Sequence, residues 1–154
     1  MPIEDKLSEL GLSLPDAPAP AANYVPYVLY GGFLHTAGQI PFDADGNLIT
    51  GCLGDTMDVE EGQAAALACA LAILAQAKAA LGSLERIDQV VKLNVFVAST
   101  PAFSKQPLVA NGASDLFANL LGERGRHARS AVGVAALPLG VAVEIDAVLG
   151  VRDA

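Results

Sequence analysis

The sequence predicts an α+β fold in which a mixed β-sheet is covered on one face by two helices. Two helical runs, from Asp58 and from about Ser104, interrupt strand-like runs without strict βα alternation. The strand-like runs 90–97 and 141–148 set Lys92, Asn94, Glu144 and Asp146 among apolar residues, so one sheet face is apolar and the other partly polar. A hydrophobic content of 53% against 17% charged, over 154 residues, fills a core without metals or disulfides. One domain over 1–154 is expected, with 1–20 as an N-terminal extension and 21–151 as the core. The polar sheet face is expected to meet solvent or neighbouring subunits.

Ile3, Leu7 and Leu10 lie at helical spacing ahead of Gly11 and predict a short docked helix. Leu14 to Pro20 is a proline-rich extended connector. Tyr24–Tyr30 and Phe33–Ile40 flank Gly31-Gly32, the pattern of a hairpin with a two-residue turn. Asp43–Asn47 is another turn, with a short strand piece at 48–50. Asp58 and Glu61 have capping-box spacing, with Asp in place of Ser or Thr. The alanine-rich run that follows has high helix propensity and stops at Gly82. Ala66, Ala70, Ile73, Leu74 and Ala77 make its packing face. In the next strand, Val91, Leu93, Val95 and Val97 share one face. The second helix runs to Leu121 and ends at Gly122. Ser130–Val134 and Val141–Val148 are strands joined through Leu137–Gly140, and a simple hairpin there sets Glu144 opposite Gly133. Glu144 then shares a face with Arg129, about 13 Å away along the strands.

The net charge of −8 and a pI near 4.5 disfavour nucleic acid as a partner, and Arg124, Arg126 and Arg129 form the only basic concentration. Cys52 and Cys69 have no Cys-x-x-Cys or Cys/His neighbours, so no metal site is expected, and Cys69 reads as a buried inert thiol. Met1–Asp5 lacks the basic start and apolar run of a signal peptide. Ala64–Leu81 carries Gln76 and Lys78 and reads as a core helix, not a membrane span. A cytoplasmic location is the default.

Several segments coincide in order and spacing with one family. They are Ala37-Gly38-Gln39-Ile40-Pro41, Val91–Val97, Arg126-His127-Ala128-Arg129-Ser130-Ala131-Val132, Leu137-Pro138 and Val143-Glu144-Ile145-Asp146-Ala147. From about residue 20 to residue 150 the chain resembles the Rid, or YjgF-like, family, once labelled endoribonuclease L-PSP. The N-terminal lead and Asn111–Asp115 resemble a longer branch of it. The resemblance implies a chorismate-mutase-like fold and a homotrimer with clefts at the subunit interfaces. It implies hydrolytic deamination of reactive 2-imino or 2-enamino acids to 2-keto acids and ammonia, with no metal or organic cofactor.

By the same resemblance Arg129 holds the substrate carboxylate, a role that suits a planar guanidinium fork. Glu144 positions or activates the attacking water. Tyr24 lines the cleft, Asn111 lies near it, and Gly38 and Ala131 offer backbone groups beside the substrate. Without the resemblance, Arg129 reads as a strand ion pair with Glu144 or Asp146, Glu144 as a solvated strand residue, and Tyr24 as a packing aromatic. Ala37, Ala131 and Gly133 stand where the family commonly has a small hydroxyl residue, a cysteine and an acid. Each change removes a polar group and enlarges the cleft. His35 reads as structural, and His127 as a rim residue that could pair with Ser130 only on paper. Two alternatives compete: capture of small carboxylate metabolites without turnover, and ribonuclease activity, against which the charge counts.

Overall fold

A computed structural model describes residues 1–17 and 22–154. Of the connector predicted at 14–20, Leu14–Ala17 is irregular and the remainder lies outside the described residues. The elements are α1 (Ile3–Glu9), β1 (Tyr27–Tyr30), β2 (Phe33–Thr36), α2 (Val59–Leu81), β3 (Ile87–Ala98), α3 (Gln106–Leu121), β4 (Ala128–Val134) and β5 (Val143–Val151). This is the expected order, except that the third strand piece makes only isolated bridges, Phe42 with Leu48 and Thr50 with Val141.

The local signals became structure where local chemistry decides. Gly31 and Gly32 both take positive φ, so β1 and β2 pair from Tyr30–Phe33 outward. Asp58 accepts from Glu61 N at 2.8 Å while Glu61 accepts from Asp58 N at 3.2 Å, a complete capping box. Gly82 closes α2 in the left-handed region. Asp58→Ala is expected to lower stability by about 1 kcal/mol, read as a lower urea midpoint at unchanged slope. α1 buries Ile3 and Leu7, whereas Leu10 is exposed because the helix ends before it. Helix α2 is long and apolar enough to cross a membrane by composition, yet two thirds of its most apolar window is buried in the fold. Ala66, Ala70, Ile73, Leu74 and Ala77 are all buried there, and Cys69 beside them is fully buried. Burial and then the charge of Glu144 push the Cys69 thiol well up, so it stays protonated.

The sheet order is β1-β2-β5-β3-β4, with β4 parallel to β3 and the other pairs antiparallel. The expected β4–β5 hairpin does not form. The chain between them crosses the end of β3, with Leu139 at φ 60° and Gly140 at φ 73°, and β3 pairs with both. Glu144 faces Phe96 across the ladder, not Gly133. A second correction concerns β3. Register shifts between Ile87 and Gln89 and between Val90 and Lys92 leave Asp88 and Val91 as extra residues. The bulges turn Ile87, Val90 and Leu93 alike into the core, and Val91 is displaced to half-burial.

The core lies between the sheet and α2/α3, with Leu93, Val95, Val97, Val143, Ile145 and Leu149 from the strands. The opposite sheet face is open. The strand registers put Val28, Tyr30, Phe33, His35, Asn94, Phe96, Ser130, Val132, Glu144 and Asp146 on it. Tyr30 is 81% exposed there.

Candidate functional site

β4 is an edge strand with α3 packed over it. Arg129 pairs with Leu93, whose side chain is in the core, so Arg129 projects on the helix side of the sheet. There α3 presents Asn111 and Ser114, three residues apart and hence on one helix face. Arg129 Nη1 donates to Asn111 Oδ1 at 2.8 Å and to Ser114 Oγ at 3.1 Å, and Nη2 donates to the Pro107 carbonyl at 3.4 Å. Three of the five guanidinium N–H groups are thus used. No carboxylate pairs with Arg129 among the described residues. Ala131, two residues on along β4, faces the same side half-buried.

His127 completes this cluster. Its Nδ1 lies 2.7 Å from the Gly125 carbonyl and its Nε2 2.8 Å from Ser114 Oγ. The ring stands edge-on to Phe117, centroids 6.2 Å apart. Ser114, His127 and Arg129 line a hollow of about 260 Å³, with Asp115 and Arg126 at its rim. Burial lowers the His127 pKa; the Gly125 hydrogen bond works against this, and nearby Arg129 lowers it further. The neutral ring's share of stability is complete above the unfolded-state value and is lost as pH falls through the lower folded-state value. The stability of wild type relative to His127→Gln is therefore expected to fall on acidification below about pH 6.5, as measured by urea unfolding at a series of pH values.

Glu144 belongs to a second cluster. It stands on the open sheet face, opposite to Arg129. This overturns the expectation that the two share a face, because the hairpin that implied it does not form. A Cβ at Gly38 would lie 2.5 Å from Glu144 Oε1, so the missing side chain at Gly38 is what admits the carboxylate. Burial and then Asp146 raise the Glu144 pKa, while Asp146 itself accepts from Asn94 Nδ2 at 2.7 Å. Tyr24 precedes β1 and is 56% exposed. β1 and β4 are the two sheet edges, four strand spacings or roughly 19 Å apart.

One chain therefore joins Arg129 with Asn111, and Gly38 with Glu144, but holds Arg129 apart from Glu144 and from Tyr24. The bond that Arg129 donates to Ser114 is not among the sequence expectations; its signal in the sequence is the three-residue step from Asn111. Ser130 points to the open face and receives Lys92 Nζ at 3.2 Å, so the pairing with His127 fails. His35 is exposed on that face. Among the described residues, no three His, Cys, Asp or Glu are placed to hold a metal ion.

Comparison with known proteins agrees with this fold. The family model described as Endoribonuclease L-PSP matches residues 14–151. Protein TCP17 of Trypanosoma cruzi is 58% identical over 148 residues, covering 96% of this chain and 92% of that one. A crystal structure of a protein of unknown function from Agrobacterium tumefaciens is 51% identical, with a TM-score of 0.90 over 97% of this chain and 94% of that one. TdcF of E. coli, solved with bound serine, is 28% identical, with a TM-score of 0.61 over 89% of this chain and 94% of that one. The chain belongs to the endoribonuclease L-PSP family, that is, the Rid or YjgF-like proteins.

Proposed function

We propose that this chain hydrolyses small reactive 2-imino or 2-enamino acids to 2-keto acids and ammonia, with Arg129 holding the substrate carboxylate. The observation that carries the reading is the guanidinium itself. Asn111, Ser114 and the Pro107 carbonyl orient it, no acidic residue pairs with it among the described residues, and two N–H groups are left for a ligand. A carboxylate gripped there fixes the C=N carbon for attack by water. Bound serine in TdcF, itself a small α-carboxylate, supports this choice of ligand class.

Glu144 is the group we assign to the attacking water. Its raised pKa makes it a stronger base than an ordinary surface carboxylate. Arg129 and Glu144 lie on opposite sheet faces, so the cleft needs a second copy that brings its Glu144, Gly38 and Tyr24 to the first copy's Arg129. A homotrimer does this with every cleft equivalent. The open face, with Val28, Tyr30, Phe33 and Val132 exposed, supplies apolar area for such contacts. Generating 2-iminobutyrate in situ and following 2-ketobutyrate release tests the reading. Acceleration by wild type and its loss in Arg129→Ala are expected, and no acceleration by wild type overturns it for this substrate class.

Ala37 and Ala131 favour a second reading, capture of a 2-keto acid without turnover, because neither side chain can transfer a proton. Thermal stabilisation by 2-ketobutyrate that vanishes in Arg129→Ala, with no imine hydrolysis, would select it.

A further inference from the structure

Ser114 belongs to an arrangement that neither Glu144 nor a second copy is needed to complete. The Gly125 carbonyl can only accept, so His127 Nδ1 carries the ring proton and Nε2 presents its lone pair. The Ser114 hydroxyl, 2.8 Å away, therefore donates to Nε2. Its own lone pairs face Arg129 Nη1 at 3.1 Å. A hydroxyl donating to an oriented imidazole, beside a fixed positive charge, is how a serine oxygen becomes a nucleophile. The Gly125 carbonyl holds the ring in the tautomer that the carboxylate enforces in a Ser-His-Asp triad. The lowered basicity of His127 keeps the ring neutral, and so able to take a proton, near pH 7.

The hollow these groups line, about 260 Å³, suits a small acyl group. Arg126 at its wall is paired with Glu123 at 3.5 Å, so Arg129, with no carboxylate paired to it among the described residues, is the cation that favours an anionic substrate.

We propose that Ser114 and His127 form a nucleophile–base pair that hydrolyses small esters whose acyl part carries a carboxylate. The Ser114 oxygen attacks the ester carbonyl carbon while its proton passes to His127 Nε2, and the C=O electron pair moves to oxygen beside Arg129. Collapse expels the alcohol oxygen, which takes the proton from His127. Water then attacks the acyl carbon, gives a proton to His127 and releases the acid. The Ser114 oxygen leaves and recovers that proton. Ester and water become acid and alcohol, and the chain is unchanged.

The full-length chain is treated with phenylmethylsulfonyl fluoride, and the adduct is located by peptide mass mapping. Hydrolysis of p-nitrophenyl hemisuccinate is followed in parallel. A single adduct on Ser114 is expected, forming about 100-fold more slowly in His127→Gln, with a similar loss of ester hydrolysis in that variant and in Ser114→Ala. Wild-type protein that carries no adduct on Ser114 overturns the proposal, whether or not the variants fold. So does an adduct that forms equally fast in a folded His127→Gln chain. Imine hydrolysis, assayed separately on wild type, stands or falls independently of this result.

Discussion

Arg129→Ala is expected to lower kcat/KM for a 2-imino acid by about 10²–10³-fold while the chain stays folded. The size follows from what is lost. A charge-assisted fork to a carboxylate in a partly desolvated cleft is worth about 3–4 kcal/mol to the bound state, within the range found on truncating one partner of a buried charge pair. The carboxylate is remote from the reacting C=N carbon, so its binding energy fixes orientation as well as occupancy, and kcat falls together with the rise in KM. Stability moves much less. Of the acceptors left behind, Ser114 Oγ borders a hollow that water can enter, and Asn111 is only half-buried. Arg129→Lys separates charge from geometry: it keeps the positive charge but loses the planar fork, and about a tenfold to hundredfold loss is expected. Initial rates of keto-acid release across substrate concentrations, with circular dichroism on each variant, check both. An alanine variant as active as wild type removes Arg129 from the site.

The parts of this molecule that were legible in the sequence are those decided within a few residues. The Asp58–Glu61 box, the Gly31-Gly32 turn and the Gly82 stop each need only local chemistry. The parts that were not legible depend on partners far along the chain. Alternation in β4 and β5 is the same whether they pair with each other or flank β3, and only the long apolar β3 settles the order. The bulges at Asp88 and Val91 are likewise invisible to a strict period of two, because they exist only relative to β5. The site divides in the same way. Asn111 came from resemblance and lies on Arg129, but Ser114 follows from helix geometry once Asn111 is placed. The opposition of Arg129 and Glu144 could not be read before the strand order was known.

Gly112→Ala is the substitution expected to cost most stability for the fewest atoms. Gly112 lies in α3 where a Cβ would run into the backbone carbonyl and Cα of Gln63 in α2. Rotating a side chain cannot relieve that contact, so the helices must separate. The added methyl improves helix propensity by about 1 kcal/mol, whereas overpacking against backbone costs about 3–5 kcal/mol, and the second effect wins by about 2–4 kcal/mol. A fall in Tm of about 5–15 °C is expected for a domain of this size. Gly82→Ala makes the contrast: nothing lies within 4 Å of its Cβ, and its φ of 80° alone predicts a loss of about 1 kcal/mol. The two should also differ in function. Asn111 and Ser114 flank Gly112 on α3, so moving that helix away from α2 shifts the two acceptors that aim Arg129. Assayed at a temperature where both variants are fully folded, Gly112→Ala should lose turnover and Gly82→Ala should not. Equal activity in the two would mean that the guanidinium is aimed by β4 alone, and that α3 contributes packing without setting the geometry of the site.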